Sequence, residues 1–224
     1  MEQRETRSGF GKNILSELPL ILLILGSLAA GALLYDLLPE RVPSHWNIRG
    51  EIDAYSSRFW GAFGIPLLNA GIYFMMLVLP LIDPRRENYL KFAGAYRVFR
   101  AVFVVFMTGV YLLVLASAFG YSVPVDRAVM AGISVMFIIL GNYMGQIRHN
   151  YFVGFKTPWT LANEQVWQKT HRLGGRLWVA AGLIGLVAAL FGGTWGGILL
   201  GISIGVAAII PMVYSYVEFK KLQN

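Results

Sequence analysis

The sequence predicts an all-α, polytopic membrane protein with six transmembrane helices and both termini in the cytoplasm. Three observations carry that expectation. Apolar residues make up 56% of the 224 residues and charged residues only 14%, whereas a soluble domain carries about 25% charged residues. Six stretches are apolar for close to the roughly 20 residues that a helix needs to cross about 30 Å of hydrocarbon. The 19 lysines and arginines alternate in density from one connection to the next.

The first span runs from about Leu18 to Leu38. It is too long for the apolar core of a signal peptide, and no small-residue cleavage site follows, so it reads as a retained span. The second covers about Phe59 to Ile82 and contains Pro66 and Pro80. The third runs from about Tyr96 to Phe119, the fourth from Ala128 to Ile147, the fifth from Gly174 to Phe191 and the sixth from Gly196 to Tyr216. Gly192 to Trp195 alone join the last two, which predicts a tight antiparallel pair. The stretches are continuously apolar rather than alternating. That favours helices over a β-barrel, because a helix satisfies its backbone internally.

With the N-terminus inside, fifteen basic residues fall on cytoplasmic connections, from Arg4, Arg7 and Lys12 to Lys220 and Lys221. Only Arg41, Arg49, Arg58 and Arg127 fall outside. The same bias accounts for the net charge of +7. Basic residues near a membrane face anionic lipid, so lipid is the expected partner and nucleic acid is not. The absence of cysteine excludes a disulfide framework, a Cys-based zinc site and a thiol nucleophile.

Two membrane domains are expected. Residues 1–120 would hold three helices with an outer loop at 39–58. Residues 121–224 would hold three helices with an inner loop at 148–173. Connections of such length are uncommon in compact domains and are often functional. In the outer loop two prolines, Pro39 and Pro43, favour an extended path, and Asn47 to Gly50 reads as a turn. His45, Trp46, Asn47, Gly50, Asp53 and Tyr55 form a candidate external binding surface. His45 and Asp53 together are also a candidate metal or proton-sensitive pair. The competing reading places Trp46 and Tyr55 in the interfacial aromatic belt.

The inner loop carries more signal. Asn142 and Gln146 lie four apart on the fourth span, where polar side chains bond across helices or line a pathway. Thr160 and Asn163 suggest a capped short helix, with Asn163 itself able to cap a helix that starts at Glu164. Val166, Trp167, Thr170 and His171 then recur at helical spacing, which predicts an amphipathic interfacial helix leading into the fifth span. Lys156, Thr157, Pro158 and Trp159 read as a turn at the membrane surface. Gly197, Gly201 and Gly205 would give the sixth span one smooth face for close packing. No catalytic pattern is present. His149, Glu164 and His171 lack the His-Glu-x-x-His spacing, no serine sits in Gly-x-Ser-x-Gly, and there is no nucleotide-binding glycine motif. No enzyme, cofactor or metal is therefore expected.

The run Gly141-Asn142, Asn150, Gly154, Thr157-Pro158-Trp159-Thr160-Leu161, Val166-Trp167, Thr170-His171-Arg172, Gly174-Gly175 resembles the signature of the SdpI family. Pro39, Val42-Pro43, His45-Trp46-Asn47, Gly50 and Asp53-Tyr55 resemble the small domain of unknown function that often precedes it. Lys156 stands where the family pattern leads one to expect Arg, which keeps the charge and loses the planar fork. The resemblance implies a non-enzymatic immunity protein in the bacterial cell membrane. Such a protein guards a cell against a secreted, membrane-active peptide toxin and holds a cytoplasmic repressor at the membrane. It also implies that Asn142, Asn150, Gly154, Thr157, Pro158, Trp159, Thr160, Trp167, Thr170, His171 and Arg172 serve signalling, and Gln146, Lys156 and Glu164 on the same span and loop are candidates beside them. A small transporter is the alternative. Its expected mark, acids or broken helices at mid-membrane, is weak here, because Asp36 and Asp83 lie near span ends and Pro66 is the only central breaker.

Overall fold

A computed structural model describes residues 2–223, with side chains from Leu15 onward. Arg4, Arg7 and Lys12, which contribute to the charge bias, lie outside the described side chains. Helix α1 (Glu2–Leu34) ends in a short 3₁₀ turn at Tyr35–Leu37. There follow strands β1 (Arg41–Trp46) and β2 (Ile52–Ser57), then α2 (Arg58–Ile82), α3 (Glu87–Leu90) and α4 (Ala93–Ala118). The chain continues through α5 (Val125–Met144), α6 (Pro158–Ala162), α7 (Glu164–Phe191) and α8 (Gly193–Lys221). Among the described residues six helices are long and apolar enough to cross a membrane, namely Leu15–Leu37, Arg58–Ile82, Ala93–Ala118, Val125–Met144, Glu164–Phe191 and Gly193–Lys221. Large apolar side chains such as Leu33, Phe74, Leu112, Leu190 and Ile202 point outward from them. A bilayer covers such a surface and water does not. The chain is a multi-pass membrane protein.

The fold is not purely helical. The first long connection folds into an antiparallel β-hairpin, in which Arg41 pairs with Ser57 and Trp46 with Ile52, with irregular register around His45. Its extended path and its turn match the expectation from Pro43 and Asn47. Inter-strand pairing was not expected, because six-residue strands interrupted by proline give little alternation. The Asn47 side-chain oxygen accepts from the N–H groups of Arg49 and Glu51, and Gly50 takes φ +80°, so the turn is closed by its own side chain.

Helices α1, α2 and α4 pack together around Leu20, Ile24, Tyr73 and Val104, and around Val42, Ala62 and Tyr111 nearer the hairpin. Helices α5, α7 and α8 pack around Met130, Ala188 and Leu200. The α5–α7 seam is close because it is lined by glycine. A Cβ on Gly141 would meet the carbonyl oxygen of Gly175, and one on Gly175 would meet that of Gly141. The buried face of α8 runs through Gly196, Leu200, Ser203, Ala207, Pro211 and Ser215. The expected packing face at Gly197, Gly201 and Gly205 is therefore corrected. Gly201 and Gly205 meet nothing, and Gly197 receives Ile48 of the hairpin. Glycine spacing alone does not say which of two small-residue stripes a neighbour takes. The α7–α8 link is as tight as expected, with Gly192 and Gly193 both at positive φ.

Candidate functional site

The two long connections lie at opposite ends of the helix bundle. The hairpin lies across α2, α5 and α8 at its end. Val42 is fully buried over Gly61, where its methyl groups take the space of a side chain. Gly50 lies against Asp126, and Ile48 against Gly197. The hairpin thus touches both halves of the chain. Beneath it is a cavity of about 350 Å³ between Trp46, Ile48, Ile65, Val114 and Met130. His45 Nδ1 lies 2.5 Å from Asp53 Oδ1 across the strands, and both side chains are largely exposed. Asn47 donates to Glu51 at 2.7 Å, and Arg41 lies over the Tyr55 ring. The structure therefore brings His45 and Asp53 together, while Asn47 and Gly50 form the turn and Trp46 is half-buried at the cavity wall. Among the described residues no third metal ligand joins the His45–Asp53 pair.

The opposite end holds the 145–163 connection, and it is built on Asn150. This side chain is fully buried. Its amide nitrogen donates to the carbonyls of Arg148 and Val153 at 2.8 and 3.0 Å. Its oxygen accepts from the N–H groups of Phe152 and Val153 at 2.9 and 2.6 Å. A single amide thus fixes a loop whose backbone would otherwise be unpaired in a buried place. Asp83, at the end of α2, does the same from the other half of the chain. One carboxylate oxygen accepts from Tyr151 N–H at 2.9 Å and from the Tyr89 hydroxyl at 3.1 Å, and the other accepts from Arg85 N–H at 2.7 Å. Asn88 donates to the His149 carbonyl at 2.8 Å. Burial and the adjacent Asp83 carboxylate push the Tyr89 phenol well above its usual pKa, so it stays a donor.

A column of three rings stands behind this loop. Trp167 is fully buried, stacks on His171 with centroids 4.1 Å apart, and carries His149 on its other side at 4.9 Å. The Trp167 indole N–H donates to the Ile147 carbonyl at 2.9 Å. His171 Nδ1 donates to the Trp167 carbonyl at 2.8 Å, and Nε2 accepts from Phe155 N–H at 3.0 Å. A carbonyl on one side and an N–H on the other require a neutral ring with its proton on Nδ1. His149 is held below its ordinary pKa, chiefly by burial and then by the Arg85 guanidinium. Gly154 takes φ +111°, and a Cβ there would fall on His171 Nε2.

Helix α6 starts with Pro158 at its first position and Thr157 as its cap. The Thr157 hydroxyl accepts from Thr160 N–H at 3.1 Å, and the Thr160 hydroxyl accepts from Thr157 N–H at 2.9 Å. The expectation that Thr160 opens this helix is corrected by three residues. Thr160 is the returning partner, and its hydroxyl also donates to the Phe155 carbonyl at 2.7 Å. The Thr157 hydroxyl lies 2.9 Å from that of Ser215 on α8, and Trp159 packs on Tyr216. Asn163 caps α7 as expected, accepting from Gln165 and Val166 N–H, with Glu164 in the first turn. Val166, Trp167, Thr170 and His171 share one face of a helix as expected, but that helix is α7 itself, continuous from Glu164 through the fifth span, and the face is buried in the protein rather than laid in the membrane interface. Lys169 and Lys221 bracket the buried carboxylate of Glu218 at 2.7 and 2.8 Å. Lys156 is exposed and donates to the Phe152 carbonyl at 2.9 Å.

Asn142 and Gln146 are placed otherwise than expected. Helix α5 ends at Met144, so Gln146 is past its end, and its N–H closes a turn on Tyr143. Both side chains are exposed. The α5–α7 seam takes Gly141 and leaves Asn142 turned away beside Arg172, so no interhelical bond forms among the described residues. The sequence marks Asp83 only as an acid near a span end, and it does not mark Asn88, Tyr89 or Ser215. Nothing local announces a carboxylate that serves Tyr151.

Residues 146–215 match the SdpI/YfhL protein family, and residues 22–70 match a domain of unknown function, DUF1648. Over 213 residues the chain is 28% identical to the Immunity protein SdpI of Bacillus subtilis (strain 168), covering 95% of this chain and 98% of that protein. No solved structure matches the chain. The DUF1648 match takes in the hairpin, and the SdpI/YfhL match takes in the Asn150 loop and its ring column, so that the two long connections are the parts of the chain that resemble these two families.

Proposed function

We propose that this chain is a membrane immunity protein that protects a bacterial cell against a secreted, membrane-active peptide toxin. The observation that carries the reading is the collinear similarity to Immunity protein SdpI, which spans 95% of this chain. In this reading both termini are cytoplasmic. The hairpin meets the peptide outside, and the Asn150 loop presents a cytoplasmic surface that engages a repressor protein. Two features support it. The hairpin rests on both halves of the chain, so a ligand there bears on their relative placement. The loop is likewise shared, by Asp83 and Asn88 from one half and Ser215 from the other. A peptide transmits occupancy only if it binds one arrangement of these halves better than another. The reading requires no catalytic step and no cofactor.

Toxin challenge of cells with and without the gene tests protection directly. Equal survival would reject immunity. Orientation is testable apart from function, because the chain has no cysteine. Single cysteines at Asp53 and Glu164 should label with an impermeant maleimide from opposite sides, Asp53 from outside. Labelling of both from one side would reject the arrangement.

A further inference from the structure

A second polar site lies on the lateral surface, where α5 ends against α7. Arg172 and Arg176 are four apart on α7 and both exposed. They border a groove of about 380 Å³ whose floor includes Gly141, Gly145 and Val179 and whose rim includes Asn142. No carboxylate of a described residue pairs with either arginine. Two like charges at this helical spacing destabilise a helix unless an anion offsets them. The C-terminal carbonyls of α5 supply only about half a charge of compensation. At this end Arg100 is balanced by Glu17 and Lys169 by Glu218.

Depth decides what anion fits. Gly141 and Val179 lie inside helices apolar enough to cross the membrane, whereas Gly145 lies just past the end of α5 with Arg172 of α7 packed beside it. The groove therefore runs from the polar boundary into the hydrocarbon. We propose that Arg172, Arg176 and Asn142 form a binding site for the headgroup of an anionic phospholipid. The guanidinium groups take the phosphate, which they match in geometry. The Asn142 amide donates to a further oxygen, and an acyl chain continues past Val179. A soluble acidic protein would reach the rim alone and leave the inner arginine unmet.

The test uses the chain purified in detergent and titrated with phosphatidylglycerol or phosphatidylcholine, with retained lipid counted by native mass spectrometry. The expected result is preferential retention of phosphatidylglycerol, reduced at least fivefold in the pair Arg172→Gln and Arg176→Gln. Arg172→Lys with Arg176→Lys should keep most of it, and Lys91→Gln with Lys220→Gln should keep all of it. Should the double Gln variant not fold, Arg176→Gln alone is expected to lose at least half. Unchanged retention in the Gln variants, equal retention of phosphatidylcholine, or full displacement of the lipid by millimolar inorganic phosphate would each overturn the proposal.

Discussion

Gly154 and His171 share one small space: the glycine stands at φ +111°, and its missing side chain is replaced by the imidazole Nε2 that accepts from Phe155 N–H. Gly154→Ala therefore meets two penalties. The backbone conformation is one that L residues rarely adopt, at a cost of about 1–3 kcal/mol. The new methyl also displaces His171 and leaves a buried N–H unpaired, for about 1–3 kcal/mol more. The expected outcome is a fall of several degrees or more in the melting temperature in detergent. Leu161→Ala, which leaves both intact, should cost less.

Asn150→Ala should cost about as much, because four backbone groups of the loop lose their partner at once. Asn150→Asp is expected to do no better. It keeps the acceptor oxygen but removes the two N–H donors and places a second carboxylate near Asp83, with which it would share the Tyr89 hydroxyl. Thermal melts of the two variants, and protease cleavage within 146–163, check this.

His149 gives the loop a pH dependence of known sign. Its folded pKa lies below the unfolded value of about 6.5, because burial and Arg85 disfavour the charged ring more than Glu164 and Asp83 favour it. The unfolded state therefore binds the proton first. Stability is full above about pH 6.5 and falls as pH drops below it. The Nε2 atom is buried without a hydrogen-bond partner among the described residues, so an added proton finds no acceptor there. Melting temperatures between pH 7.5 and 5.5 should decline, and His149→Phe should flatten that slope. Trp167 fluorescence reports the same loosening, since His149 and His171 flank the indole.

His45 and Asp53 behave differently, being an exposed pair. Pairs of this kind contribute about 0–1 kcal/mol. His45→Ala and Asp53→Asn should leave the melting temperature within about two degrees of the parent. If the hairpin receives the toxin, the same variants lower survival under toxin challenge. Loss of protection with unchanged stability assigns the pair to recognition. Unchanged protection removes it from the binding surface.

The membrane architecture was legible because a bilayer imposes its thickness on every span, and length plus composition are local properties. The capping of α7 by Asn163 and the buried stripe from Val166 to His171 were legible for the same reason. What failed was contact across the sequence. Gln146 was read onto a helix that stops two residues before it, because neither Gly145 nor Met144 marks a stop strongly. The hairpin was read as an extended loop, since Pro43 breaks the alternation that would announce a strand. Asp83 was seen only as an acid near a span end. Its work for Tyr151, 68 positions away, leaves no local trace in a single sequence.

The glycine-lined seam between α5 and α7 has a mechanical meaning. Backbones that touch at Gly141 and Gly175 have no side chains to slide over, so the two helices turn together as one rigid strut. By contrast, α4 and α5 are separated by a lateral cleft of about 620 Å³. If the hairpin were displaced, that cleft would offer the compliant seam, and the strut would carry Trp167 and the loop behind it along as one piece.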